Sequence, residues 1–542
     1  MLDTVIMQPI NEQRRPGIFA WTCFVFIVVL LAELIAGYYI VFVGGYVMND
    51  AIARTANAYY VLFLNPNKLA SVGFVWNPLP SLLQLPILLF SDIWRPLATH
   101  GYSGSIINAF FAAINSVLLF RYFCYGGASV FFSLLIAFLY AFNPFYFYYG
   151  LNGMSETIFF TVIIACVYNF SMWMDDRRTV RLLIVALLLA VGFLTRYEVL
   201  PFILAIILSL AIVSFLMKDH NSPFCIKAIQ MKWDYFIASF IVLILPVAYT
   251  MMVWMVVSWV IMGNPIYFLN SAYSNESQAA AGLLHLRSYI NSPIHAWLYM
   301  AVQSIPFIAP LVLILCVRLV AKRFFRTDML VLTLFAGCFL GFHYMLLLSG
   351  KSFGWLRFFS YVLPVCLAWY AYEMRALKGK IKNLSLTFLC IALFGSAALI
   401  PKYFSDVNLA NEEYTTLFQA KTGAYVLQHE FATIINEKYS DSIILMDSFS
   451  TSSLIVNLEK PENVITSTSD TFIESVIDPR GMGIEYILLP LPKGIGFLDA
   501  LNNEYPDLYN YGVPSWADLA DQNDLYRLYK VTREGNPLNE AP

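Results

Sequence analysis

Charge is scarce in this chain: Asp, Glu, Lys and Arg supply 13% of its 542 residues, about half the usual globular share. Beside 59% apolar residues, that scarcity excludes both disorder and a soluble body, because too little polar surface would remain to face water. Cysteine chemistry is equally thin. The eight cysteines (Cys23, Cys124, Cys166, Cys225, Cys316, Cys338, Cys366 and Cys390) all precede residue 401, and none stands in CxxC spacing. Neither a disulfide scaffold nor a zinc site is suggested. There is no internal repeat and no low-complexity linker, and no nucleic-acid partner is expected.

What the chain does have is long apolar runs. The first, Ile18 to about Gly44, follows Arg14 and Arg15 and is too long for a cleaved signal peptide, so it reads as a signal anchor. Further runs long enough to cross a bilayer lie near 105–123, 128–145, 156–174, 180–196, 199–217, 235–262, 296–320, 328–349, 356–374 and 384–401, eleven in all. Charge changes sign where they end. Residues 1–401 carry 24 basic and 14 acidic side chains, and residues 402–542 carry 9 and 21. The expected architecture is a polytopic α-helical membrane body over 1–401, followed by a soluble acidic domain over 402–542.

The short stretch Leu79–Phe90, broken by Pro80 and Pro86, is ambiguous. If it does not cross, 17 basic residues of the membrane body fall on the cytoplasmic side and 7 on the other; if it crosses, the tally inverts. The positive-inside rule therefore makes it an interfacial or re-entrant segment on the outer face. The N-terminus is then cytoplasmic, the tail extracytoplasmic, and the expected location is the plasma (inner) membrane. In the tail, 442–447, 463–466 and 484–490 read as short buried strands. They alternate with helical stretches near 422–438, 470–477 and 497–504, an α/β pattern.

On this topology the few outer charges gather at a handful of places. Asn49, Asp50 and Arg54 follow the first span. Glu156 opens the fourth, and Arg196 and Glu198 flank Tyr197 between the fifth and sixth. Lys351 and Arg357 precede the tenth, and a second long outer loop holds Asn264, Pro265, Glu276, His285 and Arg287. Each has a plain structural reading. Asp50 and Glu156 suit helix N-termini, Arg196 and Glu198 suit a local ion pair, and Lys351 and Arg357 suit snorkelling bases. Glu33, inside the first span, is a functional candidate or the partner of a neighbouring helix. Together they place carboxylates and bases at one membrane boundary, as a reaction on a lipid-borne charged substrate requires.

The order of these features resembles that of the polytopic GT-C glycosyltransferases, particularly the family 39-like enzymes that use polyprenyl-phosphate sugars. The sequence of elements is Asn49-Asp50 with Arg54, then Trp76-Asn77-Pro78-Leu79-Pro80, then Gly153-Met154-Ser155-Glu156. The stretch from Leu194 to Leu200, Gly263-Asn264-Pro265 and a late outer arginine follow. The resemblance implies that the loops after the first and seventh spans form jaws over an active site. Asp50 would be the general base, Arg196, Arg357 and more weakly Lys351 would hold the donor phosphate, and Asn49, Arg54, Glu156 and Glu198 would bind or orient substrate. Some relatives carry lysine where Asn77 stands. The implied partners are a polyprenyl-phosphate sugar donor, membrane lipid, and a glycan, lipid or protein acceptor. No cofactor is required by this reading, and a divalent metal is left open. A transporter or lipid flippase, and a membrane anchor for the tail, are the alternatives.

Overall fold

A computed structural model describes residues 17–216, 226–274, 277–278, 289–419 and 424–532. Arg14, Arg15, Glu276, His285 and Arg287 lie outside them.

Among the described residues, eight helices are long and apolar enough to cross a membrane: Ile18–Val43, Tyr102–Tyr125, Glu156–Asp176, Val199–Leu216, Ile229–Met262, Pro293–Val320, Asp328–Leu348 and Gly379–Phe404. Val130–Ala141 and Pro144–Leu151, bent by 65° where they meet, make a ninth if taken as one span. The break falls at Asn143-Pro144. The residue before a proline resists the helical region, and the Asn143 side chain accepts from the Phe145 amide to restart the helix. The chain is a multi-pass membrane protein.

Two expected spans are shorter helices, Thr179–Thr195 with 17 residues and Val362–Glu373 with 12. Contacts show that the chain nevertheless runs from one end of the bundle to the other through each. The helix Glu156–Asp176 has 21 residues and is thus about 30 Å long. At its start Glu156 meets Arg196 and Arg357; at its far end Asp175 meets Arg375. Both 177–196 and 357–375 therefore traverse its whole length. Val362–Glu373 is buried on every side, so neighbouring helices rather than lipid surround it.

The stretch Leu79–Leu88 forms two four-residue helices, Leu79–Leu82 and Leu85–Leu88. Ten residues reach about 15 Å, half the hydrocarbon thickness, and they pack against the helix Asn49–Phe63. At the opposite end of the bundle, Arg318 lies between Asp328 and Glu373, all three buried.

The last bundle helix, Gly379–Phe404, runs through residue 401. A helix Asn411–Gln419 follows, then a five-stranded sheet with order β2-β1-β3-β5-β4. Strands β1 (Ile444–Leu445), β2 (Val464–Ile465) and β3 (Tyr486–Pro490) are parallel and fall where the sequence predicts strands. The antiparallel pair β4 (Ala517–Gln522) and β5 (Tyr526–Val531) was not expected. As an edge strand, β4 buries little beyond Ala517, so it has no apolar alternation to read. One side of this unit shares a core with the helix Asn49–Phe63: Ile52, Ala56, Tyr59 and Tyr60 cluster with Ile444, Met446, Leu454 and Tyr526. The tail is therefore seated on the membrane body.

Candidate active site

The helix Asn49–Phe63 is amphipathic and lies across the end of the bundle, its buried face including Ala51, Ile52, Arg54 and Thr55. Asp50 is not its cap. Met48 holds that position without a side-chain cap bond, and the Asp50 carboxylate instead accepts from Arg357 Nη2 at 2.9 Å. Glu156 likewise turns away from capping its own helix. Its Oε1 accepts from Arg196 Nη1 at 2.5 Å and from Arg357 Nη1 at 3.2 Å. The turn that delivers Glu156 needs Gly153, which sits at φ +79° with Gly104 packed so closely that a side chain at 104 would meet the Gly153 backbone at 3.0 Å.

Arg196 ends the helix Thr179–Thr195 in an extended conformation. Its Nη1 also donates to Ser155 Oγ at 2.9 Å, and its Nη2 to Glu198 at 2.5 Å. Both terminal nitrogens are thus engaged by protein. Burial pushes the Glu198 carboxyl up, but Arg196 outweighs this and holds it at about 2. Arg357, 2% exposed, stands over the Trp355 ring at 4.2 Å. Its Nε lies 3.1 Å from Glu412 of the tail, near enough for an ion pair although the N–H is not directed at that oxygen.

Among the described residues the buried Nε of Arg196 and of Arg357 has no acceptor; Arg54 keeps a terminal nitrogen open as well. It is buried one turn beyond Asp50, with its guanidinium 5.2 Å from the Trp76 ring centre. Its Nε and Nη1 have no acceptor among the described residues, an unusual state for buried donors. Burial lowers it to about 10, opposed by Asp50, so it stays charged at neutral pH. For Asp50, burial raises the carboxyl, but Arg357 and then Arg54 outweigh it and hold it below the ordinary range. The result is a carboxylate that is ionised at neutral pH.

A cavity of about 380 Å³ opens beside these groups, lined among others by Asn49, Asp50, Trp76, Phe353, Trp355 and Glu412. The structure thus brings together Asp50, Arg54, Glu156, Arg196, Glu198 and Arg357, with Asn49 exposed at the cavity wall. Lys351 is exposed on the same link as Arg357 but does not line the cavity. Asn77 is buried and donates to the Phe193 carbonyl. Glu33 lies apart, buried inside its span against Gly150. Sequence reasoning missed Glu412 and Glu413, which open the helix Asn411–Gln419; Glu413 accepts from Tyr149 at 2.7 Å. Their signal was an acidic pair just after the last span, in a domain with acids throughout. Among the described residues no group of three or more His, Cys, Asp or Glu is placed to hold a metal.

No protein family model matches the chain, and no curated protein matches it. Among solved structures it is similar to ArnT from Cupriavidus metallidurans bound to undecaprenyl phosphate. Identity is 10%, the match covers 94% of this chain and 98% of that one, and the TM-score is 0.49. The apo state of the same protein is similar at 10% identity, over 95% and 98%, with a TM-score of 0.48.

Proposed function

We propose that the chain is an integral-membrane glycosyltransferase, moving a sugar from a polyprenyl-phosphate donor to an acceptor hydroxyl on the extracytoplasmic face of the plasma (inner) membrane. One observation carries this reading: buried, charged Arg54 keeps two N–H donors without a protein acceptor, beside Arg357 and the carboxylate of Asp50. Unsatisfied guanidinium donors at a membrane boundary suit a phosphate on a lipid.

In this reading Arg54 and Arg357 hold the donor phosphate. Arg196, whose two terminal nitrogens already donate to protein and whose Nε alone is without an acceptor among the described residues, holds Glu156 and Glu198 in place instead. Phosphate binding to Arg357 frees Asp50, which takes the proton from the acceptor hydroxyl. The acceptor oxygen forms its bond to the anomeric carbon as that carbon's bond to the phosphate oxygen breaks, and the electron pair leaves with the polyprenyl phosphate. The arginines stabilise the charge developing there. A single displacement of this kind inverts the anomeric centre.

The bases clustered at the opposite end of the bundle, among them Arg318, Arg323 and Arg375, support placing that end in the cytoplasm. The tail is then extracytoplasmic and roofs the site. A transporter would place its ionisable groups near mid-bilayer; this cluster sits at one rim.

The test is transfer from radiolabelled undecaprenyl-phosphate sugars to membrane acceptors, with donor binding measured separately. Arg54→Ala and Arg357→Ala should weaken donor binding and Asp50→Asn should cut transfer by about 10²–10⁴-fold. Undiminished transfer by Asp50→Asn would sink the base assignment.

A further inference from the structure

A second cavity, of about 320 Å³, adjoins the first and shares Ala53, Trp76, Phe449 and Ser452 with it. Its walls come from three separated parts of the chain. The helix Asn49–Phe63 and the turn after it supply Asn57, Lys68 and Ser71. The loop after the seventh span supplies Tyr267 and Tyr273. The tail supplies Ser448, Ser467, Thr468, Ser469 and Asp470.

Two bonds hold this assembly together. Tyr273 donates to Asp447 of the tail at 2.7 Å, and Lys68 pairs with Asp470 at 2.5 Å on the rim. The lining then keeps hydrogen-bonding capacity unused. Ser71 is 1% exposed and its hydroxyl has no partner among the described residues. A buried hydroxyl in that state asks for an explanation. Around it stand aromatic faces, Trp76, Tyr267, Tyr273 and Phe449, interleaved with five serine and threonine hydroxyls from the tail.

Aromatic faces beside small hydroxyl and amide groups, with a single ion pair kept to the rim, match a neutral ligand rich in hydroxyls and C–H faces. They do not match a second phosphate, because Lys68, the one cation among the described lining residues, is already paired with Asp470. We infer that this second chamber is the acceptor site, and that it binds a sugar unit of a glycan acceptor whose hydroxyl reaches Asp50 past Trp76 and Ala53. The inference rests on the glycosyltransferase reading and deepens it by naming the acceptor class and giving the tail a part in binding it. The volume lies at the lower end of ligand pockets, so one or two rings are held, not a long polymer.

The test uses the full chain in detergent, with an array of printed neutral oligosaccharides as probe. Radiolabelled undecaprenyl phosphate reports separately on the first cavity. The wild-type chain should bind a subset of the oligosaccharides. Asn57→Leu and Ser467→Leu, which fill only the second chamber, should weaken that binding about tenfold or more while undecaprenyl phosphate still binds, which also shows that the variants fold. No oligosaccharide binding by wild type, or binding that survives both substitutions, overturns the acceptor inference. Loss of undecaprenyl phosphate binding by wild type, or binding insensitive to Arg54→Ala and Arg357→Ala, overturns the donor reading instead.

Discussion

Arg357 and Asp50 are separated by 307 positions in sequence and by 2.9 Å in space. A buried guanidinium therefore already rests against the carboxylate proposed as base and holds it ionised. Asp50→Asn keeps the side-chain shape and removes the proton acceptor. Transfer should fall by about 10²–10⁴-fold with donor affinity changed far less, read from single-turnover transfer beside equilibrium binding. Equal losses in both would mark Asp50 as a donor-binding group.

Arg196 braces two carboxylates, and in the proposed reading it does not touch the donor. Arg196→Met leaves Glu198 without its partner and Glu156 with Arg357 alone, at a cost of about 3–5 kcal/mol. Adding Glu198→Gln should recover part of the loss. Melting temperature in detergent checks this. A stable Arg196→Met variant with strongly reduced donor affinity would show that Arg196 contacts the phosphate directly.

In the proposed reading Glu412 competes with the donor phosphate for Arg357. Burial pushes its carboxyl up, and although Arg357 opposes this, Asp50, Glu413 and Glu156 add to the rise. A group that resists ionising there is readily displaced by a phosphate. Glu412→Gln should tighten undecaprenyl phosphate binding by about tenfold, ~1.4 kcal/mol. Weaker binding would make Glu412 part of the donor site.

The tail contains a buried carboxyl pair, Asp447 and Asp499. Asp499 accepts from Ser450 Oγ and from the Leu501 and Asn502 amides. Burial first, and then Asp447, raise it to about 8, against roughly 4 in an unfolded chain. Between those values the folded state holds the extra proton, so stability is full at the acid side and falls as pH rises from about 4 to about 8. Melting of the full chain should show that slope, and Asp499→Asn should flatten it. An unchanged slope in the variant would place the titration elsewhere.

The bundle was legible because lipid imposes a simple rule: a segment that crosses must be apolar for its length. That rule located Val362–Glu373 even though the helix proved short and sheathed by protein. It failed to anticipate the bend at Asn143-Pro144, where hydropathy runs on unbroken through a change of direction. In the site, the positive-inside tally gathered Asp50, Glu156, Arg196, Glu198 and Arg357 correctly onto one end. It could not say which arginine keeps open donors, because that depends on pairings across hundreds of residues. Arg196 looked the better phosphate ligand, yet both its terminal nitrogens donate to protein; Arg54 looked accessory, yet its Nε and Nη1 have no acceptor among the described residues. Glu412 was hidden for the converse reason. In an acidic domain, nothing local distinguishes a carboxylate that turns inward to an arginine.

The helix Glu156–Asp176 is fastened by Arg357 at one end and by Arg375 at the other. Both fasteners belong to one stretch of chain, so the two elements are bolted together like rails with a tie at each end. Neither can slide along the other without breaking a tie, and this pair is the fixed frame of the machine. Any movement that widens the cavities at the Arg357 end falls to the parts outside that pair: the helix Asn49–Phe63, the loop bearing Tyr273 and the tail.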